Sequence, residues 1–119
     1  MNTNEILIKL NEQAIEAVSL GNTNQYNAIV LHDIIRESQK IPNEERNQWL
    51  RQQFYHTTEM RDKMVASEKY CDAFMQLIHH HEVEIAIPEH VMNTCKHLRK
   101  SIEQVRKAMI SYRDLFAVE

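Results

Sequence analysis

Residues 77–91 read LIHHHEVEIAIPEHV, and here the side chains capable of chemistry crowd together. His79, His80 and His81 are consecutive, Glu82 and Glu84 follow, and His90 closes the stretch. Imidazole and carboxylate are the ligands of zinc and di-iron centres and the proton carriers of many hydrolases. Spacing decides whether they can act together. A catalytic zinc helix places two histidines four apart, and consecutive helical residues point about 100° apart, so these three cannot converge on one ion. A di-iron bundle needs Glu-x-x-His pairs, and no glutamate of this chain has a histidine three residues later. No metal site is therefore expected. The histidines suit the end of a helix, where unpaired carbonyls and the negative dipole end favour imidazole donors. Their remaining chemistry is a response to pH near neutrality.

Other motifs are weaker. His32-Asp33 matches the dipeptide of His-Asp metal phosphohydrolases, but those enzymes also need an upstream histidine, and His32 is the first in the chain. Glu68 and Asp72 stand one helical turn apart beside Lys69, the pattern of a solvated face. One glycine, Gly21, leaves no phosphate-cradling loop, dinucleotide fingerprint or nucleophile elbow. Cys71 and Cys95 lack CxxC spacing and read as reduced, buried thiols of a cytoplasmic protein. No catalytic residue and no cofactor is expected.

The elements that hold these residues follow from the chain's punctuation. It has 119 residues, one glycine and two prolines, with 43% apolar and 26% charged residues, which fits one all-α domain over 1–119. The expected architecture is an antiparallel bundle of four to five helices. Gly21 reads as a helix stop followed by a new cap at Asn22 or Thr23, making 1–41 a helical hairpin. Its buried set is Ile6, Leu7, Leu10, Ala14, Ile15, Ala17 and Val18, then Tyr26, Val30, Leu31, Ile34 and Ile35. Pro42 and Pro88 read as helix starts. Residues 42–81 form a long helix that either breaks near 55–58 or pairs its excess length with a second subunit, and 82–87 an extended connector tucking Val83, Ile85 and Ile87 inward.

Residues 88–117 carry the clearest pattern. Val91, Cys95, Leu98, Ile102, Val105, Met109, Tyr112 and Phe116 alternate steps of four and three, the seam of a heptad-patterned helix. Met60, Met64, Ser67, Cys71, Phe74 and Ile78 keep the same rhythm and read as its partner. An unbroken 42–81 helix would overhang the two short N-terminal helices, so self-association as a dimer is expected.

Charge is uneven. Residues 1–41 carry five acidic against three basic side chains, 42–87 eight against five, and 88–119 four against six. The basic lean sits on Arg99, Arg106 and Arg113, seven apart, with Lys100 and Lys107 beside them. Such a stripe pairs with acids of a neighbouring helix, such as Glu59, Glu68 and Asp72, or faces a protein partner, or tracks phosphates. Nucleic acid is the lesser expectation because no aromatic residues interleave the stripe. The expected partner-binding set is Arg99, Lys100, Arg106, Lys107 and Arg113 with the aromatic cluster at Trp49 and Phe54, on a small non-enzymatic regulator, adaptor or inhibitor of a larger machine. The longest aliphatic run is AIVL, so no membrane span is expected, and the first ten residues lack the pattern of a signal peptide.

Overall fold

The computed structural model describes residues 1–116 and contains four helices there: α1 (Thr3–Ser38), α2 (Asn43–Gln52), α3 (Phe54–His81) and α4 (Glu89–Asp114). Residue 117, the expected end of the last helix, lies outside the described residues. His90 of α4 meets Asn11 of α1 and His97 meets Asn22, so these two helices run in the same direction. Tyr70 reaches Gln13 and Ser67 reaches Asn24, while Glu68 reaches Arg106 and Phe54 meets Tyr112, so α3 runs against both. The result is a rod of 63 × 19 × 18 Å with a radius of gyration of 18.2 Å. A compact chain of this length would have a radius of gyration of about 13–14 Å. No helix among the described residues is long and apolar enough to cross a membrane.

The expected hairpin over 1–41 does not form. α1 passes straight through Gly21, because the glycine serves packing rather than termination. A β-carbon at Gly21 would stand 2.6 Å from Cδ2 of His97 and 2.9 Å from its Nε2, so the missing side chain lets the imidazole lie on the α1 backbone. Asn2 starts the helix, its Oδ1 accepting the Glu5 N–H at 2.9 Å. At the other end Arg46 donates from Nε to the Ser38 carbonyl (2.8 Å) and from Nη2 to that of Ile41 (3.0 Å), satisfying groups a helix end leaves orphaned.

With α1 unbroken, its 36 residues span roughly 54 Å at 1.5 Å per residue and match the length of the middle segment. The overhang from which self-association was expected is therefore absent. The middle segment does break, but at Gln53, upstream of 55–58. Gln53 keeps φ −88° and ψ −3°, and its N–H turns to the Leu50 carbonyl at 3.1 Å. Tyr112 donates its hydroxyl to the same carbonyl at 2.6 Å. Each proline stands one position before its helix, at Pro42 and Pro88.

The main core joins α1, α3 and α4. Met60, Met64, Ser67, Cys71, Phe74 and Ile78 are all buried on α3, and Val91, Cys95, Leu98, Ile102, Val105 and Tyr112 on α4. Met109 and Phe116 are partly buried. A second cluster of Ile34, Leu50 and Tyr112, with Trp49 and Ile35 against it, closes the α2 end. On α1 the buried residues include Ile6, Leu10, Ala14, Ala17, Leu31 and Ile34, but Ile15, Val18 and Tyr26 are exposed, contrary to expectation. In 82–87 a turn takes the first half, where the N–H groups of Glu84 and Ile85 both return to the His81 carbonyl. Ile85 and Ile87 pack on the core, while that turn throws Val83 into solvent.

Candidate functional site

The histidine stretch ends α3, as its spacing suggests, and does not gather into a site. His79 and His80 are exposed, whereas His81 turns inward and is buried. His79 Nδ1 lies 2.9 Å from Glu82 Oε1, an exposed contact one turn along. Among the described residues no three His, Cys, Asp or Glu side chains are placed to hold a metal ion. His32 and Asp33 are exposed on α1, and Asp33 pairs with Arg36.

The basic residues of α4 divide between two grooves on the α3–α4 side. The first, about 410 Å³, collects Lys96, Arg99, Lys100 and Arg106 with Glu68, Asp72 and Glu103, above Cys71, Met75 and Ile102. Its basic and acidic side chains are close in number, but among the described residues only Arg106 of the basic ones is paired. Arg106 donates to Glu68 at 2.8 Å and to Glu103 at 2.6 Å, and the Glu68 carboxylate is the main reason its guanidinium is raised above its already high ordinary pKa. Pairing with the neighbouring helix thus accounts for Arg106 but not for the others. Among the described residues Arg99, Lys100, Lys107 and Arg113 form no salt bridge.

The second groove is larger, about 630 Å³, and of a different character. Phe54, Thr57, Thr58, Arg61 and Met64 of α3 form one wall, and Arg106, Met109, Ile110, Tyr112, Arg113 and Phe116 the other. Three arginines rim an apolar floor, and no carboxylate lines it. The floor is preassembled by aromatic packing: Phe54 packs at a tilt against Phe116 with ring centroids 5.3 Å apart, and Tyr112 meets Phe116 edge-on at 5.3 Å. Phe54 and Ile110 remain substantially exposed.

Of the expected partner-binding residues, this groove unites Phe54, Arg106 and Arg113. Arg99 and Lys100 belong to the first groove, and Lys107 lines neither. Trp49 on α2 lines a different hollow, with Ile41, Glu45, Gln48 and Gln52, although it and Phe54 both pack against the cluster around Tyr112. Sequence reading missed Arg61, Met64 and Ile110. Ile110 carried a signal, being an apolar residue one step off the seam of α4 (Met109).

Beneath the first groove the buried Cys71 thiol of α3 and the buried Cys95 thiol of α4 lie close enough to affect each other's ionisation. Burial pushes the Cys71 thiol up to about 12, and it raises Cys95 as well. Such thiols are poor nucleophiles at neutral pH.

No protein-family model, curated protein or solved structure matches this chain.

Proposed function

We propose that this chain is a helical protein-interaction module with no catalytic activity of its own, a small cytoplasmic regulator, adaptor or inhibitor that holds an acidic, apolar segment of a larger protein assembly in the groove between α3 and α4. The observation that carries this reading is the groove's composition: an aromatic and methionine floor lined by no carboxylate and rimmed by Arg61 and Arg113, with Arg106, already paired to Glu68 and Glu103, between them. An amphipathic helix laid in such a groove buries its apolar stripe while acidic residues beside the stripe meet guanidinium groups in charge-assisted hydrogen bonds. Met64 and Met109 suit the role because their unbranched side chains repack around different apolar surfaces. The heptad spacing of α4 belongs to the same reading, since a straight seam against α3 presents one continuous wall.

Two features weigh against phosphate tracking on the same helix. Arg106 spends its charge on Glu68 and Glu103. Lys100 and Lys107 are turned roughly 100° away from Arg99 and Arg106 at 100° per residue, so the basic side chains do not form one row.

The test is recovery of partners from host lysate, with and without nuclease, using the wild-type chain and the Arg61→Glu/Arg113→Glu double variant. Arg106 is left intact because a carboxylate there would sit between two others. Loss of a nuclease-resistant partner in a variant of unchanged helicity supports the groove. Equal recovery by both chains removes it, and recovery that nuclease abolishes transfers the basic residues to a nucleic acid.

A further inference from the structure

α1 has a second apolar face that the bundle leaves exposed, touched by α4 only at its polar positions, where Asn11 meets His90 and Asn22 meets His97. Ile8, Ile15, Val18, Tyr26 and Ile29 are exposed, from 38% at Val18 to 73% at Ile15. At 100° per residue, Ile15, Val18, Asn22, Tyr26 and Ile29 fall within about 80° of arc, opposite the buried Leu10, Ala17, Asn24 and Leu31. Scattered exposed apolar residues are ordinary; five in line on one helix are not. The stretch is also free of charge. Residues 17–31 contain no Asp, Glu, Lys, Arg or His, in a chain that is 26% charged. Depletion of charge with an exposed tyrosine is the composition of an interface core rather than of a solvated helix surface.

We infer that this outer face of α1 is a homodimer interface, in which two copies pack α1 against α1 antiparallel about a two-fold axis at Asn22. A two-fold interface must be complementary to itself, residue i meeting j and j meeting i. The spacing satisfies that condition. Val18 and Tyr26 lie four residues either side of Asn22, Ile15 and Ile29 seven, Asn11 and Asp33 eleven, and Ile8 and Arg36 fourteen. Ile15 therefore packs on Ile29 of the partner subunit, Val18 on Tyr26 of the partner subunit, and Ile8 along the aliphatic stem of Arg36 of the partner subunit. At the axis Asn22, whose Oδ1 faces His97 of its own chain at 3.2 Å, meets the partner subunit's Asn22 through its amide nitrogen, a polar contact of the kind that sets register in paired helices.

The area is adequate. The five apolar side chains expose on the order of 500 Å² per copy, and the neutral Asn11, Ser19, Asn22 and Gln25 extend the face toward the ~800 Å² per partner of specific complexes. The chain as a whole exposes 7713 Å², against roughly 6,800 Å² for a compact monomer of its mass. Electrostatics also favour a second copy at this place. Each chain carries −3, and a face whose centre, residues 17–31, bears no charge is where two such chains meet with least repulsion. This surface lies on a different helix from the α3–α4 groove and does not depend on the groove's occupant.

The experiment is sedimentation of the full chain from low micromolar to hundreds of micromolar. The wild type is expected to double its mass, and Ile15→Glu/Tyr26→Glu to stay monomeric with unchanged circular dichroism, since both positions face solvent within one copy. A second measurement fixes the register: Asn22→Cys, oxidised with glutathione disulfide, forms a linked dimer because residue 22 meets itself, while Asn11→Cys does not. A wild type that remains monomeric overturns the inference and leaves this face to another protein. A dimer that survives in the double variant, or linkage through residue 11 instead of 22, overturns it equally.

Discussion

The imidazole of His97 lies on Gly21 of the neighbouring helix, so close that a β-carbon there would stand 2.6 Å from the ring. Its Nε2 also lies 3.2 Å from Asn22 Oδ1. Glycine inside a helix costs about 1 kcal/mol relative to alanine, and here the close approach of another helix's side chain explains its presence.

A double-mutant cycle tests this relationship. In a His97→Ala background, Gly21→Ala raises stability by about 1 kcal/mol, because alanine restores helix propensity and no ring opposes it. In the wild type the same substitution gains less, since the ring must move and leave Asn22. Urea unfolding of the four chains is expected to show a coupling of at least about 0.5 kcal/mol, and strict additivity would refute the contact.

Asn24 and Ser67 form a buried polar contact between α1 and α3, with Asn24 Nδ2 donating to Ser67 Oγ at 2.9 Å and to the Leu20 carbonyl at 2.8 Å. Asn24 Oδ1 has no hydrogen-bond partner among the described residues. Asn24→Ala loses the donor but also removes a desolvated oxygen, so its net cost is expected below about 2 kcal/mol. Asn24→Asp places a charge in the same position and costs about 3 kcal/mol or more at neutral pH. Burial raises that carboxyl in the folded state, so the variant's deficit is present above the folded-state pKa and shrinks as pH falls through it toward the unfolded value near 4. Melting temperatures across that range are the check.

Tyr112 holds the α2–α3 junction through the Leu50 carbonyl. Tyr112→Phe keeps the packing and loses one buried hydrogen bond, with an expected loss of about 1 kcal/mol. Hydrogen exchange at the amides around Gln53 is expected to accelerate more than exchange at mid-α1.

The thiols supply a pH-dependent prediction. Cys71 is raised to about 12 and Cys95 is raised too, chiefly by burial. The folded chain therefore holds protons that the unfolded chain releases above the ordinary thiol pKa of about 8.5. The stability they contribute is complete below that pH and is lost as pH rises toward 12. Tyr70 and Tyr112, likewise raised by burial, act in the same direction at higher pH. Alkylation by iodoacetamide at pH 8 is expected to be slow in the native chain and fast in urea; equal rates would contradict burial of the thiols.

Arg106 tests the pairing in the first groove. Arg106→Ala removes contacts to Glu68 and Glu103, all of them part-exposed, so it costs no more than about 1 kcal/mol, and less at high salt. A larger loss would show that the pairing is structural.

The buried sets of α3 and α4 were legible in sequence because a seam packed on one side repeats in steps of three and four. Met60 to Ile78 and Val91 to Val105 show this, since every residue of those seams is buried. Ile15, Val18 and Tyr26 were misplaced because α1 has apolar residues on two faces, and periodicity cannot say which face the bundle chooses. The groove was half legible: Arg106, Arg113 and Phe54 stood out by charge and size, whereas Arg61 and Met64 join them only through the pairing of α3 with α4.

By itself, then, the sequence determined helicity, the buried α3 and α4 seams and the basic lean of the last helix, since each depends on spacing within one segment. Tertiary structure decided what Gly21 does, where the middle helix breaks, and which side of α1 faces water. Those outcomes depend on a neighbour brought from far along the chain: His97 against Gly21, and Tyr112 on the Leu50 carbonyl. Local propensity contains neither contact.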